Sequence, residues 1–143
     1  MDKQYEIMNL YWRGGENDIE TPVEVLKTKL KTMYEEMFGE FYKAIGYRVP
    51  VTLNKILCRE IMAQRDPSGE YLKSMNYINE MFEDLSKEHR NISMFDSRNA
   101  PFYKENKSGN GLFISDLVHY TPETNWWNAK RILEDYIYKN INY

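Results

Sequence analysis

The sequence predicts an all-α fold: four to five helices in a bundle-like domain around one long amphipathic helix, with at most a minor short strand pair near Leu112. Three observations carry this. From Thr21 to Gly46, the residues Leu26, Leu30, Met33, Met37, Phe41 and Ile45 recur at spacings of three and four, which places them on one helical face. Segments 52–64 and 70–88 repeat that period. Thr121-Pro122 then repeats the Thr21-Pro22 opening of the long helix, with proline at its favoured first helical position.

Taken in order, Met1 to Gly15 reads as a helix. Tyr5, Met8, Tyr11 and Trp12 share a face, although Tyr5, Ile7, Asn9 and Tyr11 also alternate as in a strand. Glu16 to Glu20 is a polar loop. Thr21 and Glu24 have the spacing of a capping box for the long helix, and Gly46 ends it. Pro50 forces the residue before it into extended backbone. A second helix from Thr52 to Gln64 has Ile56, Leu57 and Ile61 as its apolar core and Glu60 in the same period. Asp66-Pro67-Ser68-Gly69 is a turn. A third helix, Glu70 to Glu88, carries the stripe Leu72, Met75, Ile78, Phe82 and Leu85. Regularity is lost from His89 to Gly111, and 104–111 reads as a mobile loop. Leu112 to Tyr120 fits a short strand or a helical turn. The last helix places Trp126 in register with Ala129, Leu133 and Ile137 on its core face, with Trp127 at or beyond the edge.

The 143 residues fit a single helical domain spanning 1–143, long enough to bury a core without staples. The single cysteine, Cys58, reads as a small core residue in a reducing compartment. The opening Met1-Asp2-Lys3-Gln4 is not a secretory signal, and no apolar run approaches the ~20 residues of a membrane span. The expectation is a cytoplasmic protein with no membrane partner. A net charge of −3 weighs against bulk nucleic-acid binding, whose footprint is a basic face.

No phosphate-cradling or nucleophile-elbow motif occurs; Gly109-Asn110-Gly111 has no lysine behind it. The reading that follows is a non-catalytic, intracellular protein, not an enzyme, that binds a macromolecular partner, with a protein favoured over nucleic acid and self-association open. Neither a cofactor nor a metal is expected. Aromatic residues make up 15% of the chain, and such side chains dominate binding hot spots. Trp127, Tyr120 and Tyr138 are therefore the anchor candidates, with Glu80, Asp84 and Glu88 as an acidic stripe for a basic partner surface. The Asn, Lys, Ile and Tyr content is that of an AT-rich coding sequence, so one concrete form is a phage or mobile-element inhibitor of a host nucleic-acid-handling enzyme.

The alternative is a DNA-binding transcriptional regulator. Residues 41–64 have a helix-turn-helix outline, with Asn54, Lys55 and Arg59 as reading residues, although the bend from Gly46 to Val51 is long for that motif. A third reading is an enzyme built on Asp116 and His119, whose spacing as a helical turn would also give half a metal site.

Overall fold

Three short parallel strands, rather than a bundle, form the centre of the first part of the chain. The computed structural model describes residues 9–46 and 49–141, with backbone alone from 135. Strand β1 (Leu10–Trp12), helix α1 (Val23–Ile45), strand β2 (Val51–Asn54), helix α2 (Arg59–Arg65), helix α3 (Glu70–Glu88), strand β3 (Ile92–Phe95) and helix α4 (Pro122–Ile141) follow in that order. The chain divides into two compact units: residues 1–56 with 68–95, and residues 57–67 with 96–143.

In the first unit the sheet order is β1-β2-β3, all parallel. Leu10, Val51 and Ile92 are in register, and so are Trp12, Leu53 and Met94. α1 and α3 pack together as the two crossovers. Trp12 faces them, because its Nε1 donates to the Tyr34 hydroxyl of α1 at 3.1 Å. Side chains alternate along a strand, so Tyr11, Thr52 and Ser93 turn to the other face. There the Asn9 amide donates to the Thr52 hydroxyl at 3.3 Å, and Thr52 lies 3.5 Å from Ser93. β2 is buried along its whole length.

This corrects the all-α expectation. A strand buried on both faces shows no alternation, so Thr52, Leu53 and Asn54 merge into a helical pattern. Val51 and Thr52 are β-branched and follow Pro50, and the expected second helix shrinks to Arg59–Arg65. β3 occupies part of the segment read as irregular. Trp12 and Tyr11, assigned to a first helix, are strand residues, while Tyr5, Ile7 and Met8 lie outside the described residues.

The long helix is present, but its buried seam is rotated. Leu26, Leu30 and Tyr34 are buried, whereas Met33 and Phe41 are exposed. Tyr34 is 1% exposed and meets Trp12 and Phe82 edge-on, with ring centroids at 5.8 and 5.4 Å. Burial pushes its hydroxyl pKa up to about 12. Thr21 does not cap α1; its carbonyl accepts from Ser74 Oγ, and Glu24 pairs with Lys27 instead. Gly46 ends the helix at φ 81°, in the left-handed conformation that glycine adopts without penalty. The α3 stripe stands as expected, with Met75, Ile78, Phe82 and Leu85 buried.

The second unit contains α2, a hairpin-like turn and α4. Leu57, Ala100, Leu112 and Tyr120 form its core, with Phe102, Tyr103, Phe113 and Trp127 packed around them. Phe113 and Tyr120 form a single isolated antiparallel bridge, short of the strand pair expected near Leu112. Here the threonine cap does form: Thr121 Oγ1 accepts from the Thr124 backbone N–H at 3.1 Å.

Because Tyr34 joins β1, α1 and α3, its two parts should separate in mutants. Tyr34→Phe leaves the Trp12 N–H without its acceptor and should lower unfolding free energy by about 1 kcal/mol. Tyr34→Ala also opens a cavity and should lower it by roughly 3–5 kcal/mol, both read by chemical denaturation.

Candidate functional site

The residues from Leu112 to Tyr120 fold into a tight turn whose tip carries an Asp–His pair. Its base is fixed at both ends. Leu112 O accepts from Thr121 N at 2.8 Å and from Thr124 Oγ1 at 2.9 Å, which ties the turn to the start of α4. Phe113 and Tyr120 stack across it at 4.9 Å, and Ile114 N donates to His119 O at 2.9 Å.

At the tip, Asp116 Oδ1 accepts from the backbone N–H groups of Val118 and His119, each at 2.9 Å. Asp116 Oδ2 lies 2.6 Å from His119 Nδ1. The His119 N–H, then the Val118 N–H, then the His119 ring hold the Asp116 carboxyl down at about 2. A carboxylate ionised at neutral pH can only accept, so the shared proton sits on Nδ1. In the neutral ring Nε2 is then a free acceptor, a base by construction. The His119 side chain is 73% exposed, and among the described residues none bonds Nε2. Leu117, between the pair, has φ 61°, an uncommon left-handed conformation for a branched side chain. The sequence spacing anticipated that Asp116 and His119 meet. It left the local form open between a short strand and a helical turn, and a turn held by Asp116 is what brings them together.

The anchor candidates fall differently. Tyr120 is buried in the core of its unit, and Trp127 packs against that core. Trp126, expected inside, is 74% exposed, and Leu133 is also exposed. The reason is the inward face of α4, which carries Thr124 and Asn128, both buried. Their polarity hid that face from an apolar-period reading. The Tyr138 side chain lies outside the described residues.

Glu80, Asp84 and Glu88 do line one exposed side of α3. Asp84 has Lys87 at 3.9 Å and Glu88 has Lys31 at 2.8 Å, and that ammonium holds the Glu88 carboxyl below its usual range. Glu35, Glu88 and His89 bring ligand atoms within 4.8 Å of one another, the one such cluster among the described residues. Lys31 already engages Glu88, and His89 lies 3.4 Å from Glu35, so ion pairing accounts for it. Beside it, a pocket of about 200 Å³ is lined by Leu10, Phe38, Val49 and Ile92 among others, at the amino ends of the strands. Ligand sites of parallel sheets lie at the carboxyl ends.

The helix-turn-helix outline at 41–64 is not formed. Asn54 is a buried residue of β2, Lys55 pairs with Glu83 at 3.3 Å, and Arg59 begins a helix of 7 residues. No helix among the described residues is long and apolar enough to cross a membrane. No known protein family, curated protein or solved structure matches the chain.

Two outcomes follow. Asp116→Asn should lower the stability of its unit by an amount that depends on pH. The depressed carboxyl stabilises the folded form above the ordinary value of 3.8, and that advantage disappears as pH falls to about 2. The wild-type and mutant denaturation curves should therefore differ at pH 6 and converge near pH 2. Trp126→Ala should change unfolding free energy by less than about 0.5 kcal/mol, whereas Trp127→Ala should lower it by more than about 1 kcal/mol.

Proposed function

We propose that the second unit carries the general base of an acyl-ester hydrolase. The observation that supports this is the Asp116–His119 pair. The carboxylate, fixed by two backbone N–H groups, orients the ring through Nδ1 and leaves Nε2 open to solvent. That is the orienter–base half of a nucleophilic hydrolytic site. Nε2 takes the proton of a water or hydroxyl as its oxygen adds to the acyl carbonyl. The imidazolium then returns the proton to the departing alkoxide.

A neutral carbonyl substrate suits the surroundings. Between Leu112 and Ala129 the chain has no lysine or arginine, so a phosphate there would meet no cation from this stretch. Ile114 is exposed and Leu117 and Val118 half-buried, giving the tip an apolar rim.

The test is hydrolysis of p-nitrophenyl acetate by the full chain. His119→Ala should lower the rate by roughly 10²–10⁴-fold with the fold intact by circular dichroism. Asp116→Asn should lose activity as well, because the ring then lacks its fixed tautomer. Equal rates in wild type and His119→Ala would sink the reading.

A second reading keeps a protein partner, on a different surface. Trp126, Ala129 and Leu133 lie three and four residues apart and are exposed on α4, and tryptophan is the residue most enriched in binding hot spots.

A further inference from the structure

Glu60 is the least obvious residue with a connection to the tip of the turn. It lies on α2, far from Asp116 in sequence but in the same unit. Its carboxylate reaches back to the 104–111 loop. Oε2 accepts from the Gly109 backbone N–H at 2.8 Å, and Oε1 accepts from Ser108 Oγ at 3.2 Å.

Gly109 carries that hold onward in two ways. Its carbonyl accepts from Leu112 N at 3.0 Å and from Phe113 N at 3.1 Å, the first backbone groups of the turn. Its Cα also sits against the turn. A Cβ there would lie 3.4 Å from Leu117 Cδ2 and 3.7 Å from Phe113 Cβ, and the backbone has φ 64°, so glycine alone fits without strain. Leu117 is the residue whose left-handed backbone aims the Val118 and His119 N–H groups at Asp116. A leucine does not hold φ 61° unless its surroundings over-determine it. Those surroundings are the Leu117 N–H bond to Ile114 O at 3.0 Å, the two N–H groups on Asp116 and the Gly109 backbone beside the Leu117 side chain.

We infer that Glu60 is a positioning residue for His119, acting through Gly109 and Leu117. Without the carboxylate, Gly109 N–H loses its acceptor, the loop moves off Leu117, and the turn relaxes away from the geometry that pins Asp116. Alanine is the sharpest substitution. A glutamine amide can turn its remaining oxygen to the Gly109 N–H and keep that bond, whereas alanine leaves the N–H without its carboxylate acceptor.

The inference rests on the hydrolase reading only for its activity readout, so the test uses two measurements on the full chain. The first is the Asp116 carboxyl midpoint by NMR titration. In Glu60→Ala it should rise from about 2 toward the ordinary 3.8. The second is p-nitrophenyl acetate hydrolysis, which should fall roughly tenfold to a hundredfold, in kcat more than in KM. Leu117→Ala keeps a residue that is strained at φ 61° but removes the side chain beside Gly109. It should raise the midpoint similarly, and Glu60→Ala should add little on top of it. If Glu60→Ala fails to fold, Ser108→Ala removes only the Oε1 contact and should give a smaller shift in the same direction.

A midpoint that stays at about 2 in the folded variants would overturn the inference and leave Glu60 as a loop tether. A shifted midpoint with no hydrolysis in any form, wild type included, would uphold the positioning while sinking the hydrolase.

Discussion

The hydrogen bond from Trp12 Nε1 to the Tyr34 hydroxyl is the contact on which the first unit depends. A parallel sheet of three short strands cannot bury its own face, and β1 is only three residues long. Tyr34 supplies what the strand lacks. It brings an aromatic surface between β1 and α3 and an acceptor for the indole N–H of the half-buried Trp12. Nearby, the Asn79 side chain closes a second polar debt. It accepts from Ile56 N at 2.9 Å and donates to Ile56 O at 3.0 Å, satisfying the backbone where the chain leaves β2. Both contacts solve the same problem, a short sheet with more polar groups than ladder partners.

The second unit is built differently. It has little regular structure besides α4 and α2, and its order comes from backbone groups bonded by side chains and turns. Thr124 and Thr121 fix the start of α4 to Leu112, Glu60 fixes the loop at Gly109, and Asp116 fixes the tip. At its base such a network specifies one geometry, because the buried Leu112 carbonyl and Thr124 hydroxyl are expensive to leave unmatched. For the proposed role of His119 this matters, since its exposed ring has to hold one orientation without a packed core around it.

The candidate site was partly legible. Asp116 and His119 are close in sequence, and a spacing of three brings them together in a helix or a turn alike. The charge state that makes Nε2 a base was not legible, since it depends on two backbone N–H groups aimed at one oxygen. Those in turn depend on a left-handed leucine that no propensity would assign. Glu60 was visible only as a periodic helix position. Its partner Gly109 is on another segment, and the contact exists only in three dimensions. The two tryptophans of α4 were hidden for a related reason. Trp127 packs on the core and Trp126 is exposed because the buried face of α4 is lined with Thr124 and Asn128, polar residues that a hydrophobic period ignores.

The sequence by itself determined the local punctuation. Gly46 ends α1, Thr121-Pro122 opens α4, and the apolar stripe of α3 is buried where its spacing puts it. These are short-range effects of φ preference, capping and 3.6-residue periodicity, which operate within a few neighbouring residues. The tertiary structure decided the rest. Val51 to Asn54 became a strand because β1 and β3 hydrogen-bond it on both sides, and those partners lie some forty residues away on either side in the register Leu10, Val51, Ile92. Pairing free energy that depends on distant segments leaves no mark on the segment itself, so the sheet, the rotated seam of α1 and the support of His119 all had to wait for the fold.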